Sequence, residues 1–439
     1  MRRTTLALAV LLASASTLSA QQRAGDLAGD IERLTAQVNP KVVEWRRDLH
    51  QNPELGNREF RTSAKVAEHL KSLGMEVRTG IAHTGVVGLL RGGRPGPTVA
   101  LRADMDALPV TEMVDVPFAS KVRTEYNGQE VGVMHACGHD NHMAILMGAA
   151  EVLASVRDKL PGNVLFVFQP AEEGSPQGED GGAGLMIQEG VFADPRPDAI
   201  FGLHVWPNPV GTVAYRPGGA MANSDGLYIK ITGAQTHGAV PWGGVDPVVV
   251  ASQVVLGLQT IVSRQTDITR APAVVTIATI HGGVRSNIIP DSVVMVGTVR
   301  TFDETVQDDV HARIKRTAEQ IAAASGAQAV VRINKGNPVT YNDPDLTRWG
   351  IPTLQRAAGA GAVYEGPPIT GAEDFSLYQK EIPGMFFFLG ITPEGSQPIP
   401  NHSPLFIADE RALPVGVRTL AGLAADYLLE HARGVSQDR

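Results

Sequence analysis

Within nine consecutive residues, Met134-His135-Ala136-Cys137-Gly138-His139-Asp140-Asn141-His142, the chain places three histidines around its one cysteine. A lone cysteine has no internal disulfide partner. A thiolate with imidazoles nearby is a donor set for a borderline-soft divalent ion such as zinc. The plainer reading, a buried structural thiol among unrelated histidines, stays open on this segment alone. A second group adds to it. Adjacent carboxylates at Glu172-Glu173 follow an apolar run at Asn163–Phe168. Two such acids repel each other in a poorly solvated site unless a cation offsets them. With a cation present, one can bind it while the other takes the proton of an attacking water. The alternative is a solvated pair of loop charges. Further donors lie at His204, after the run Ala199–Leu203, and at His402, before Ser403-Pro404. Cys137, His139, Glu173, His204 and His402 are five ligands. That is more than the three or four one zinc ion takes, and it suits two ions sharing a bridging group. His204 as a core histidine and His402 as a turn residue are the competing readings.

These residues need a scaffold that gathers strand ends. Short apolar runs at 98–102, 163–168 and 199–203 precede Asp104-Met105-Asp106, Gln169 to Glu173, and His204. In open α/β sheets, ligands collect at the carboxyl ends of strands. Gly92 to Pro97 reads as a loop, Ala144 to Val156 as an apolar helix, and 385–389 as a buried strand. From near Ala220 the pattern changes. Strands are expected at 224–233, 273–280, 291–301 and 328–334, and helices at 247–264 and 304–324. This is the β-α-β-β-α-β order of a ferredoxin-like domain. The expected fold class is therefore an α/β catalytic domain with a mixed sheet, plus an inserted ferredoxin-like α+β lid domain. The expected boundaries are a leader at 1–20, the first catalytic part at 25–220, the insert at 221–335, and the second catalytic part at 336–435. Inside the insert, His237 sits in a glycine-rich bend and Arg285-Ser286-Asn287 precedes a strand. Both could supply preorganised donors to a substrate carbonyl or carboxylate. Asn287 could equally serve only to shape a turn before Pro290.

Arg2 and Arg3, the short apolar stretch Leu6 to Leu12 and the small residues up to Ala20 form a secretory leader. The leader run is too short to span a bilayer, and no second run of spanning length is expected. The 439 residues carry a formal charge of −8, about −10 without the two leader arginines. There is no basic patch, so nucleic acid is excluded as a partner. An exported chain normally pairs its cysteines, so keeping a single thiol points to chemical use.

Taken together, the motifs resemble the M20 metallopeptidases, in particular the amidohydrolase branch that includes hippurate and auxin-conjugate hydrolases. The matching segments run in order through the mature chain: Arg47-Asp48-Leu49-His50 with Pro53-Glu54-Leu55; Leu101 to Pro109; 134–142; Gln169 to Glu173; Gly202-Leu203-His204-Val205; Thr236-His237 with Asp246-Pro247; Asn287 to Pro290; Gly371 to Phe375; and His402-Ser403-Pro404. The resemblance implies two divalent ions per subunit, held by Cys137, His139, Glu173, His204 and His402. Zinc is the first expectation, with manganese, cobalt or nickel as alternatives. It implies Glu172 as general base, Asp106 as a residue that orients the site, no metal role for Asp104, and a His237 that serves a catalytic centre from the lid, often across a dimer. The expected activity is exported, metal-dependent hydrolysis of the amide bond in N-acyl amino acids or dipeptides, by a homo-oligomer assembled through the lid, with no membrane span after leader removal. Two other readings are a thiol amidase using Cys137 with His139 as base, and a non-catalytic peptide- or metal-binding protein. Ser175 to Asp180 is a small extension absent from the family pattern.

Overall fold

A run such as Val164-Leu165-Phe166-Val167-Phe168 offers no polar face, so it needs cover on both sides of a sheet. In a computed structural model it forms the inside of a central strand. The structure describes the backbone of residues 3–432 and the side chains of 27–432. The leader's arginine pair and cleavage positions lie outside the described side chains. The chain divides into two units, Met1–Pro217 with Asn342–Gly366 and Tyr378–Arg439, and Gly218–Tyr341 with Pro367–Leu377.

The first unit is built on an eight-stranded sheet. Its strands are β1 (Glu76–Ile81), β2 (Gly85–Arg91), β3 (Arg94–Asp104), β4 (Pro161–Gln169), β5 (Ala199–Pro209), β6 (Val213–Tyr215), β7 (Val363–Glu365) and β8 (Gly384–Thr392). Their spatial order is β1-β2-β4-β3-β5-β8-β6-β7. The β4-β3-β5-β8 centre is parallel, whereas β1-β2, β2-β4 and β8-β6 are antiparallel. The sheet is thus mixed, as expected. Helices α1 (Arg3–Gln51), α2 (Phe60–Ser72), α3 (His139–Ser155), α4 (Pro344–Ala358) and α5 (Leu413–His431) complete the unit. α3 and α5 pack on β3, and α1 packs on both of those helices.

Three details differ from the sequence expectation. β3 starts inside the expected loop, because Arg94 pairs with Pro161 of β4. His204 lies in the middle of β5 rather than at its end. β3 stops pairing with β5 at Gly202, while β8 continues along it, opposite His204. In addition, the segments Pro247–Gln265 and Glu410–His431 are long and apolar enough to cross a membrane, where no second such run is expected. The latter is a core helix, with Leu420, Leu423 and Ala424 fully enclosed.

The second unit holds a four-stranded antiparallel sheet, in the spatial order Ala273–Gly282, Ser292–Thr301, Asp225–Thr232, Gln328–Lys335. Helices Pro247–Thr260 and Glu304–Ala324 pack on it around a separate core that includes Ile229, Val254, Met295 and Ile314. Asp246 and Asp303 cap these helices by accepting from the first-turn backbone N–H groups. Residues 367–377 belong to this unit, although Gly371 to Phe375 read from sequence as part of the catalytic domain. The reason is backbone pairing: Ala222 N donates to the carbonyls of Ile369 and Gly371.

Candidate active site

β3 and β4 end side by side, with Asp104 opposite Gln169. Arg102, fully enclosed, donates from Nε to Gln169 (2.9 Å) and from Nη1 to Asp104 Oδ2 (2.7 Å). The other oxygen of Asp104 meets Nδ1 of His142 at 2.5 Å, and Nε2 of that ring accepts from Val205 N at 2.8 Å. The backbone donor fixes His142 with its proton on Nδ1, and burial lowers its pKa. Asp104 and His142 are both occupied by these bonds. What they deliver is a fixed position for Val205 and, next to it, His204. The latter donates from Nδ1 to the Val205 carbonyl (2.7 Å) and turns Nε2 toward Cys137 Sγ, 3.3 Å away.

Gly138 separates Cys137 from His139, the first residue of α3. Its φ of +94° and its contact with Val205 leave no room for a side chain: a Cβ would lie 2.4 Å from Val205 Cγ2. His139 gives Nδ1–H to the Asp106 carbonyl at 2.8 Å. Its Nε2 is buried and has no hydrogen-bond partner among the described residues. Burial opposes a charge on this ring, but the Asp104 and Asp106 carboxylates prevail and hold its pKa up at about 10.

The glutamate pair lies in a turn beyond β4, not on the strand. Three successive backbone N–H groups are captured there by two buried acidic side chains. Ala171 N donates to Glu59 Oε1 (2.9 Å), Glu172 N to Asp106 Oδ1 (3.0 Å) and Glu173 N to Asp106 Oδ2 (2.9 Å). Ala171 adopts a left-handed φ of +50°, so the chain turns just before the pair rather than continuing as strand, and a carboxylate oxygen of each glutamate comes within 4.8 Å of the other and of a ring nitrogen of His139. Glu173 meets His402 Nε2 at 2.9 Å. His402 also has a left-handed φ, +70°, a conformation that a non-glycine residue adopts at a cost. Its loop is tied to the cysteine loop through His402 N to Ala136 O (2.8 Å) and Asn401 Nδ2 to Cys137 O (2.9 Å).

All five expected ligands therefore converge. Cys137, His139 and His204 form one donor group, Cys137, Glu173 and His402 another, and His139, Glu172 and Glu173 a third; within each the ligand atoms lie within 4.8 Å of one another. Cys137 belongs to two of these. Burial, then the nearby Glu173 and Glu172 carboxylates, push its thiol well above the ordinary range. Burial would also raise Glu173, but His402 and His139 outweigh it and lower its pKa. A thiol that ionises only against clustered negative charge, beside an unpartnered buried imidazole nitrogen, fits divalent cations.

His237 and Asn287 lie on the second unit and adjoin there. His237 pairs with Ile288, and Gly238 N donates to Asn287 O at 2.8 Å. His237 Nδ1 accepts from Ala239 N at 3.0 Å, which leaves its proton on Nε2 as an exposed donor.

Two supports are missed by sequence reasoning. Glu59 is fully enclosed, with Thr84 Oγ1 donating to its second oxygen at 2.6 Å; nothing about it stands out between Arg58 and Phe60. His142 does carry a signal, since it lies three residues after His139 on one helix and so shares its face.

A parallel α/β core with thiolate, imidazole and carboxylate donors around a pair of acids defines a metallohydrolase. The profile of the peptidase family M20/M25/M40 matches residues 100–426, and the chain belongs to that family. It is 40% identical to thermostable carboxypeptidase 2 of Saccharolobus solfataricus, over 92% of this chain and 99% of the relative. It is 39% identical to IAA-amino acid hydrolase ILR1-like 2 of Arabidopsis thaliana, over 90% and 88%. The structure of Bacillus subtilis YXEP protein, a dinuclear metal-binding peptidase of family M20, superposes with a TM-score of 0.76 at 36% identity, covering 90% of this chain and 99% of that one. The protein is accordingly a metal-dependent hydrolase of amide or peptide bonds, with two divalent ions.

Proposed function

We propose that this protein is an exported dizinc amidohydrolase that cleaves N-acyl amino acids or dipeptides, releasing the amino acid that bears the free carboxylate. The observation that carries the reading is Cys137, shared between two donor groups beside Glu172-Glu173. The two similar proteins named as a carboxypeptidase and as an IAA-amino acid hydrolase share one chemical feature: the scissile nitrogen belongs to an amino acid.

Cys137, His139, Glu173, His204 and His402 would hold the ions. When bound, these supply Lewis acidity to the amide carbonyl and acidify a water. Glu172 takes a proton from the attacking water, whose oxygen adds to the carbonyl carbon. The same carboxyl then returns the proton to the amide nitrogen as the C–N bond breaks, giving a carboxylic acid and an amine. Asp106 acts on both glutamates at once through their backbone N–H groups. His237, with its Nε2–H, and Asn287 are assigned to the substrate's carbonyl and carboxylate as preorganised donors, and the resemblance adds that His237 serves a catalytic centre from the lid. The same resemblance makes the second unit a lid and an oligomer surface; Val249 and Leu256, 54% and 70% exposed on helix Pro247–Thr260, are in keeping with it. A thiol mechanism is disfavoured because Cys137 Sγ faces His204 and its pKa is raised.

Paired variants test the assignment. Glu172→Gln removes the proton acceptor and keeps the shape. Turnover should fall by about a hundred- to ten-thousand-fold with metal content unchanged. Glu173→Gln should instead weaken metal binding, with activity partly recovered in excess metal. Normal turnover in Glu172→Gln, or the two phenotypes exchanged, would refute the roles of both glutamates.

A further inference from the structure

The extension Ser175 to Asp180, where this chain departs from the family pattern, is fastened to the structure at several points. Glu179 accepts from both Arg58 Nη atoms (2.6 and 3.0 Å) and from Asn57 Nδ2 (3.2 Å). The Asp180 carbonyl accepts from Asn57 Nδ2 (3.0 Å), and His83 Nε2 reaches it at 3.1 Å. Within the extension, Glu179 N closes a turn on Pro176 O at 3.0 Å. So anchored, Pro176 becomes one wall of a cavity of about 160 Å³ that abuts Asp106 and Glu173. Its other apolar walls are Leu55, Leu108, Pro109 and the ring of Tyr126, which stands next to the tip of the hairpin formed by Arg123–Tyr126 and Gln129–Gly132.

The chemistry of the lining selects what can enter. Asp106, Glu125 and Glu173 make the polar part of the wall acidic, while the charge of Arg58 is offset by Glu179. Glu173 is taken up by the ions in this reading, and Arg58, the one cationic residue of the lining, is already paired with Glu179, so the wall offers no cationic side-chain partner to a carboxylate, and the amino-acid half of the substrate carries one. The acyl half need carry no charge. A cavity of roughly 150 Å³ holds a benzene molecule, so the volume here matches a single ring. Resting on the amidohydrolase reading, we propose that this cavity receives the acyl group, that it is matched to an uncharged group of single-ring size, and that Pro176 and Tyr126 set its limit.

The test uses three substrates differing only in the acyl group: N-acetyl-, N-benzoyl- and N-(2-naphthoyl)-glycine. The wild type should show a higher kcat/KM for benzoyl than for naphthoyl. Pro176→Trp, which enlarges a half-buried lining residue, should lower benzoyl at least tenfold relative to acetyl. Tyr126→Ala, which shortens another lining side chain, should raise naphthoyl relative to benzoyl by a similar factor. Both residues lie outside the core, so folding is retained, and thermal melts and metal content of each variant verify this. If both variants change all three substrates by the same factor, or change none, the cavity assignment is overturned while the hydrolase reading stands. If the metal-loaded wild type cleaves none of the three, nor any other N-acyl amino acid, the amidohydrolase reading falls and the cavity assignment falls with it.

Discussion

Cys137 is the residue on which the chemistry turns. It is enclosed among carboxylates that oppose its ionisation, so its thiolate depends on a cation. Cys137→Ser should lose metal and activity together; full metal content by elemental analysis in that variant would contradict its place as a ligand. Glu59 can be tested through pH. Burial, then the Asp106 carboxylate, raises its pKa from 4.5 to about 8. The folded protein thus keeps a proton that the unfolded chain releases. Stability tied to that proton is complete below about 4.5 and is lost as pH rises toward 8. Glu59→Gln retains an acceptor for Ala171 N and cannot ionise. Its melting temperature should gain on the wild type between pH 5 and pH 8, and a constant difference across that range would show that Glu59 does not titrate there. Glu59 reaches Ala171 across 112 residues of sequence. No local spacing announces such a partner, whereas Cys137, His139 and Glu172-Glu173 are legible because their residue types are costly to place together without a use.

At the scale of elements, the approximate extents of the strands are legible in apolar runs, and helix Glu304–Ala324 in its amphipathic pattern. What the sequence does not disclose is where one strand's pairing stops relative to the next. That stagger, not a strand end, exposes His204. The turn holding Glu172 and Glu173 is illegible for a similar reason, since its shape comes from carboxylates contributed by distant loops. The junction of the cysteine loop with α3 is legible in part, because a glycine stands between two donors. Gly138→Ala should be strongly destabilising. The left-handed φ alone costs about 1–2 kcal/mol, and the Cβ would also displace Val205, which sets the position of His204. A lower melting temperature together with weaker metal binding is the expected result. Unaltered metal affinity would show that the glycine serves the fold only.

For the whole molecule, the division into two units is visible in the change of strand and helix pattern near residue 220. The attachment of residues 367–377 to the second unit is not, because it depends on backbone pairing with a segment nearly 150 residues earlier. The proposed export also belongs to the scale of the whole molecule. Intact mass of the protein taken from its native cell should show a new amino terminus near Ser16 or Gln21, and a chain retaining Met1 would contradict it. Metal dependence is the most direct test of all. Chelated protein, freed of metal as verified by elemental analysis, should not hydrolyse an N-acyl amino acid. Titration with zinc or manganese should restore turnover up to a plateau at two ions per chain. Full turnover in the metal-free protein would contradict the central claim that amide hydrolysis by this protein depends on ions held around Cys137.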